Sequence, residues 1–187
     1  MNVGIFGGTF NPIHLGHLLL AETAREAYAL DRVLFIPTSL PPHKPAKDLL
    51  PGLVRLKLIQ LAIRDHHAFA ASDIELRRSG PSYTIETVKT LHRQLPEATL
   101  FLLMGEDMLA VKWMGWAELK RLCTIVAVRR PGRRIPKAEK AIQWLQMPQV
   151  DIASSDIRRR IKQGRSIRYL VPGSVERSIR EHHLFHR

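Results

Sequence analysis

Short apolar runs of strand length alternate along this chain with longer stretches whose apolar residues recur at helical spacing, and that alternation limits the fold more than any other feature. Val3 to Phe6, Val33 to Ile36, Thr99 to Met104 and Thr124 to Val128 are the strand-like runs. Leu15 to Ala29, Leu53 to Arg64, Tyr83 to Leu95 and Lys137 to Leu145 carry the helical period. Runs that short and apolar suit strands covered on both faces, and an amphipathic helix between them supplies the crossover that parallel neighbours need. The pattern predicts an α/β fold around a mostly parallel sheet. No repeat, low-complexity tract or linker divides the sequence, so residues 1–187 read as a single domain. Pro37 to Pro51 holds five prolines and reads as a long loop of the kind that covers or contacts a ligand.

Composition removes several classes. Cys123 is the only cysteine, which excludes an intramolecular disulfide and a multi-cysteine zinc site. Met1 to Phe6 lacks the basic flank and long apolar run of a leader, and no stretch reaches the roughly 20 apolar residues of a membrane span. A cytoplasmic protein without a membrane partner is the expectation. The net charge of +12 is unevenly placed: residues 1–120 carry 13 basic and 12 acidic side chains, residues 121–187 carry 16 and 5. A basic last third suits phosphate-rich partners, either nucleic acid or a nucleotide polyphosphate, and it equally suits a solvated surface or a subunit contact.

Gly4 to His17 reads G-I-F-G-G-T-F-N-P-I-H-L-G-H. An apolar strand ends at Phe6, Gly7 and Gly8 follow, and an amphipathic helix begins near Leu15. Glycines at such a turn let a phosphate approach the backbone, and the helix start presents amide donors and a positive dipole end. Neither the G-x-G-x-x-G dinucleotide fingerprint nor a Walker loop is present. His14 and His17 lie three residues apart, so their imidazoles project from nearly one side of the helix start. Such a pair can bind a metal, cap the helix or contact phosphate. The adjoining glycine turn favours phosphate, and no third metal ligand stands in the segment.

Gly7-Gly8-Thr9-Phe10-Asn11-Pro12-Ile13-His14-x-Gly16-His17 resembles the signature of the H-x-G-H nucleotidyltransferases, specifically the bacterial nicotinate-nucleotide adenylyltransferases, which usually carry Asp where this chain has Asn11. Further elements follow in the family's order: Pro42-His43-Lys44, Ser82-Tyr83-Thr84-x-x-Thr87, Gly105-x-Asp107 with a downstream Trp113, and Arg130-Pro131-Gly132. Ile152-Ala153-Ser154-Ser155-Asp156-Ile157-Arg158 is similar to the family's Ile-Ser-Ser-Thr-x-Ile-Arg motif, and Leu170-Val171-Pro172 with Val175 to its carboxy-terminal pattern. The resemblance covers nearly the whole chain. It implies a Rossmann-like, doubly wound fold with helices on both faces of the sheet and a small carboxy-terminal helical segment.

The same resemblance implies an enzyme of NAD biosynthesis that transfers the adenylyl group of ATP to nicotinate mononucleotide, with magnesium carried by ATP and no protein ligand for it in the sequence. It assigns His14 and His17 to catalysis, and Gly7, Gly8, Thr9, Phe10, Lys44, Ser154, Ser155 and Arg158 to ATP and its phosphates. Gly105 and Asp107 are implied to bind ribose, and Thr84 and Trp113 the nicotinate ring and carboxylate, with Trp116 as a second stacking candidate. On their own residues, Ser154 and Ser155 sit where a helix would start and suit an anion, and Arg158 one turn on adds a forked positive charge. The competing roles are an N-cap with a basic helix face for that segment, a helix-start carboxylate for Asp107, a solvent-exposed Lys44, and core packing for the tryptophans. Two different functions compete with the implied one. One is a superfamily relative acting on nicotinamide mononucleotide, phosphopantetheine or a cytidylyl donor. The other is a nucleic-acid-binding protein, which the scarcity of aromatics among the basic residues disfavours. The sequence sets no oligomeric state.

Overall fold

The computed structural model describes residues 1–40, 48–129 and 141–186. Its elements run β1 (Asn2–Gly8), α1 (Leu15–Ala27), β2 (Arg32–Pro37), α2 (Gly52–Ile63), β3 (Phe69–Ala71), α3 (Thr84–Gln94), β4 (Thr99–Gly105), a 3₁₀ turn (Glu106–Ala110), α4 (Trp116–Leu122), β5 (Thr124–Val128), β6 (Ile142–Leu145), α5 (Ser154–Lys162) and α6 (Gly173–Glu181). The six strands form one sheet in the order β3-β2-β1-β4-β5-β6, and every neighbouring pair is parallel. This is the Rossmann order, with the strand sequence reversing direction between β1 and β4.

Strand alternation sorts the core into two layers. Val3 and Ile5 of β1, Leu100 and Leu102 of β4 and Ile125 of β5 face a layer closed by Ile85, Val88 and Leu91 of α3 and Leu119 of α4. Phe6, Phe35 and Val126 face the opposite layer, closed by Leu20 and Ala24 of α1, Leu58 and Ile59 of α2, Ile157 of α5 and Val175 of α6. Side chains of period two on a sheet with helices on both faces leave no polar side, which is why these runs are almost continuously apolar. Gly4 is part of that packing, because a Cβ there would stand 2.9 Å from Leu30 Cδ1.

The three amino-terminal helices match the sequence reading to within two residues at each end, with Tyr83 and Leu95 becoming the caps of α3. Two elements differ. Lys137 to Leu145 reads as a helix, yet Ile142–Leu145 is a strand paired in parallel with β5 from Ile125↔Ile142 to Val128↔Leu145. Four residues of I-Q-W-L satisfy either period, and the exposed edge of β5 decides between them. The three-residue β3 has no pattern of its own and is a strand because β2 offers it hydrogen bonds at Val33 to Phe35. Cys123 caps the carboxyl end of α4 just before β5, its Sγ donating to Leu119 O at 3.2 Å.

Candidate active site

In an open parallel sheet the crevice for a ligand lies at the carboxyl ends of the strands, where the order reverses. Here β1 and β4 flank that point, and they end at Gly8 and Gly105. The glycine turn and the Gly-x-Asp element, nearly a hundred positions apart in sequence, are thus placed on adjacent strand ends.

The chain leaves β1 through Gly7, where a Cβ would meet nothing within 4 Å, so the face of that residue is open to a ligand. A Cβ on Gly8 would press on the Phe10 ring at 3.0 Å. Phe10 has a positive φ of 46°, a conformation that costs a residue with a side chain about 1–3 kcal/mol. Packing of its ring on Phe6 at 5.4 Å and Phe35 at 5.9 Å between centroids holds it there. Helix α1 then starts at Leu15 with His14 as its N-cap.

The two histidines are built as a unit. Their rings stack at 3.6 Å between centroids, and the His14 backbone N–H donates to His17 Nδ1 at 3.2 Å. An imidazole that accepts at Nδ1 carries its proton on Nε2, so the contact fixes the His17 tautomer and makes Nε2–H the donor of the ring. Phe6 and Phe10 press on the His17 ring at 5.9 and 5.0 Å, limiting its rotation. Gly16 belongs to the same unit, since a Cβ there would lie 3.2 Å from the His14 ring.

Distant segments grip the turn between β1 and α1. Ser154 Oγ donates to Pro12 O at 2.9 Å, Arg158 Nη1 donates to Asn11 O at 2.9 Å, and Leu15 N–H donates to Leu170 O at 3.0 Å. Ser154 therefore already commits its hydroxyl proton to the turn, while Arg158 uses one of five donors there and keeps its fork directed to the same place. Ser155 is exposed beside them on the first turn of α5. Asn11 is buried and uses both ends of its amide: Nδ2 donates to Asp48 O at 2.8 Å, and Oδ1 accepts from Leu50 N–H at 3.1 Å. A carboxylate in the family's usual position could make only the second bond.

Across the crevice, Gly105 leaves room for Asp107 to fold back on the strand end, because a Cβ there would stand 2.5 Å from Asp107 Oδ1. Trp113 donates from Nε1 to Met108 O at 2.7 Å and lies 5.8 Å from Trp116, ring to ring. Lys120 Nζ stands 5.8 Å from the Trp116 ring. Both tryptophans are half-buried against the α3 layer, and Gly115 between them sits against Ile85, next to Thr84 at the start of α3. Trp113, Trp116 and the start of α3 thus pack in one layer. Lys44, with Pro42 and His43, and the Arg130-Pro131-Gly132 element lie outside the described residues.

Sequence reasoning passed over a buried polar layer beneath these loops. Arg55 of α2 is 1% exposed, and its Nε, Nη1 and Nη2 donate to Leu50 O, Thr9 O and Thr38 O, each at 2.8 Å. Its one sequence signal is a charge on the apolar stripe formed with Leu58, Ile59 and Ile63. Glu75 is 4% exposed and accepts from Thr87 Oγ1 at 2.8 Å, and Thr87 accepts from Arg78 Nη2 at 2.7 Å. Burial pushes the Glu75 carboxyl up from its ordinary range, against the opposing pull of hydrogen bonds from Thr87 and Ser82 and the charges of Arg78 and Arg55. Thr87 is therefore a buried structural partner of Glu75 on α3. Among the described residues no group of three His, Cys, Asp or Glu could hold a metal ion, and no helix is long and apolar enough to cross a membrane.

Comparison with known proteins agrees with this fold. The cytidylyltransferase-like family model matches residues 5–160. A protein of Thermus thermophilus named a probable nicotinate-nucleotide adenylyltransferase is 43% identical over 187 residues, covering 99% of this chain and 100% of the relative. One of Shouchella clausii with the same name is 43% identical, covering 98% and 96%. In fold, the chain is similar to the nicotinic acid mononucleotide adenylyltransferase of Plasmodium falciparum solved with NaAD, with a TM-score of 0.81 at 17% identity over 98% of this chain and 97% of that one. Agreement of that depth along nearly the whole sequence places it: the chain belongs to the nicotinate-nucleotide adenylyltransferase family.

Proposed function

We propose that this protein joins ATP and nicotinate mononucleotide, giving nicotinate adenine dinucleotide and pyrophosphate. The observation that carries the mechanism is the hydrogen bond from the His14 N–H to His17 Nδ1, which turns His17 Nε2–H into a fixed donor at the mouth of the glycine turn. A 5′-phosphate oxygen of the acceptor attacks the α-phosphorus of ATP in line. The new oxygen–phosphorus bond forms as the bond to the bridging β-phosphate oxygen breaks, and pyrophosphate leaves with that oxygen and its electron pair. No covalent enzyme intermediate is required, and Cys123, buried at the end of α4, has no part in the reaction.

Transfer of this kind asks the protein for alignment and for donors aimed at developing charge. His17 supplies its Nε2–H to the α-phosphate, and His14 shares the phosphate-facing turn. Gly7, Gly8, Thr9 and Phe10 form the backbone cradle. The remaining Arg158 donors, Ser155 and the start of α5 hold the outer phosphates, together with Lys44. Ser154 acts by fixing the turn through Pro12 O. Gly105 and Asp107 serve the ribose, Thr84 the nicotinate carboxylate, and Trp113 the pyridine face. Magnesium enters with ATP as part of the substrate. Pyrophosphate release with ATP and either nicotinate or nicotinamide mononucleotide tests the proposal. Turnover with the nicotinate form and much less with the amide supports it, equal turnover removes the carboxylate specificity, and no turnover with either removes the reaction.

A further inference from the structure

Arg55 stands apart from the residues that the family motifs supply, yet it touches both halves of the site through the backbone. Thr9 O belongs to the glycine turn, and Thr38 O to the segment just beyond β2. The Thr38 N–H donates to Gly8 O at 2.9 Å, so the guanidinium closes a ring of bonds joining the ends of β1 and β2. One residue further on, the Ser39 N–H donates to Ser82 Oγ at 2.9 Å, and the Ser82 N–H donates to Leu40 O at 3.2 Å. Ser82 leads directly into Thr84 and α3. A chain of hydrogen bonds therefore runs from the phosphate turn, through Arg55 and residues 38–40, to the segment proposed to read the acceptor.

Burial makes this link stiff. A guanidinium held in the interior by three carbonyls has no alternative water partners, and its fork fixes three directions at once, which a lysine ammonium cannot reproduce. We propose that Arg55 is a positioning residue that sets the distance between the ATP-binding turn and the acceptor-binding segment, and so the in-line alignment of the two substrates. It touches neither substrate. The proposal rests on the adenylyl-transfer reading above.

The test is Arg55→Lys, which keeps the charge and most of the bulk. Loss of alignment by about an ångström costs up to on the order of 10²-fold in rate. The expected result is a kcat lowered roughly 10- to 100-fold on that basis, with KM for ATP and for nicotinate mononucleotide each within about threefold of the parent. The dinucleotide product, which must span both halves, should bind at least tenfold more weakly than it does to the parent. A folded variant with unchanged kcat and product affinity overturns the proposal, as does equal weakening of ATP, acceptor and product. If Arg55→Lys does not fold, the side-chain N–H resonances of Arg55 in the unaltered protein decide. They should be slow to exchange, and shift both when a non-hydrolysable ATP analogue binds and when the mononucleotide binds. Insensitivity to either ligand overturns the link. A parent enzyme inactive with both substrates would instead count against the reaction itself.

Discussion

Replacing His17 by alanine separates its structural and chemical roles in amounts that can be told apart. The ring gives the His14 N–H its acceptor, stacks on His14 at 3.6 Å and makes edge contacts with Phe6 and Phe10. Loss of an N-terminal cap partner costs about 0.5–2 kcal/mol, and lost ring contacts about 0.5–1.5 kcal/mol, so the sum is about 1–3.5 kcal/mol. For a chain of this size that lowers Tm by about 2–14 °C. Against a stability of about 5–15 kcal/mol, even the larger loss leaves at least about 1.5 kcal/mol, or roughly 93% folded protein at 25 °C. Unfolding can therefore remove less than about a tenth of the activity. Loss of a fixed donor at the α-phosphate should lower kcat about 10²- to 10³-fold, equivalent to about 2.7–4 kcal/mol of transition-state stabilisation.

The assay is steady-state pyrophosphate release at 25 °C, paired with thermal unfolding of the same samples. His17→Asn provides the control, because its Oδ1 can take the His14 N–H at the Nδ1 position while nothing replaces Nε2–H. It should recover most of the Tm and little of the kcat. Folded His17→Ala turning over within tenfold of the parent would refute the donor role. So would His17→Asn restoring rate and Tm together, since the ring would then serve only as a cap.

Three further outcomes follow from buried polar groups. Burial raises the Cys123 thiol to about 12, so at pH 8 its thiolate fraction, and with it native-state alkylation, should be about 10³-fold below that of an ordinary cysteine. Alkylation followed by mass spectrometry checks this, and labelling at an ordinary thiol rate without unfolding contradicts it. Asn11→Asp removes the donor to Asp48 O and should cost about 1–3 kcal/mol at neutral pH by urea unfolding. The deficit should shrink in acid, where the introduced carboxyl is protonated and can donate again; a pH-independent deficit would speak against the bond. For Glu75, whose folded pKa is raised mainly by burial, the favourable contribution is complete below the unfolded carboxylate pKa and is lost as pH rises through the folded value. Urea midpoints of parent and Glu75→Gln should therefore diverge in favour of the variant as pH rises above the ordinary carboxylate value of about 4, and a constant difference would show that the carboxyl titrates normally.

What could be read from the sequence was whatever neighbours along the chain decide. The continuous apolar runs of β1, β4 and β5 announced a sheet buried on both faces, because each run carries the imprint of both layers. The spacing of His14 and His17 announced a shared face at a helix start, since a helix fixes that relation locally. Strand β6 was misread because four residues fit two periods until an open sheet edge selects one. Arg55, Asn11 and Ser154 required the tertiary structure, for their partners lie as far as 46, 39 and 142 residues away. Ser154 stands at a helix start that suits an anion, and the fold also aims its hydroxyl at Pro12 O. A buried carbonyl must be satisfied by whichever donor the packed chain brings to it, and periodicity holds no record of that meeting. The sequence by itself determined the kind of sheet and the meeting of two histidines at one helix start. Only the packed structure decided what holds that turn in place.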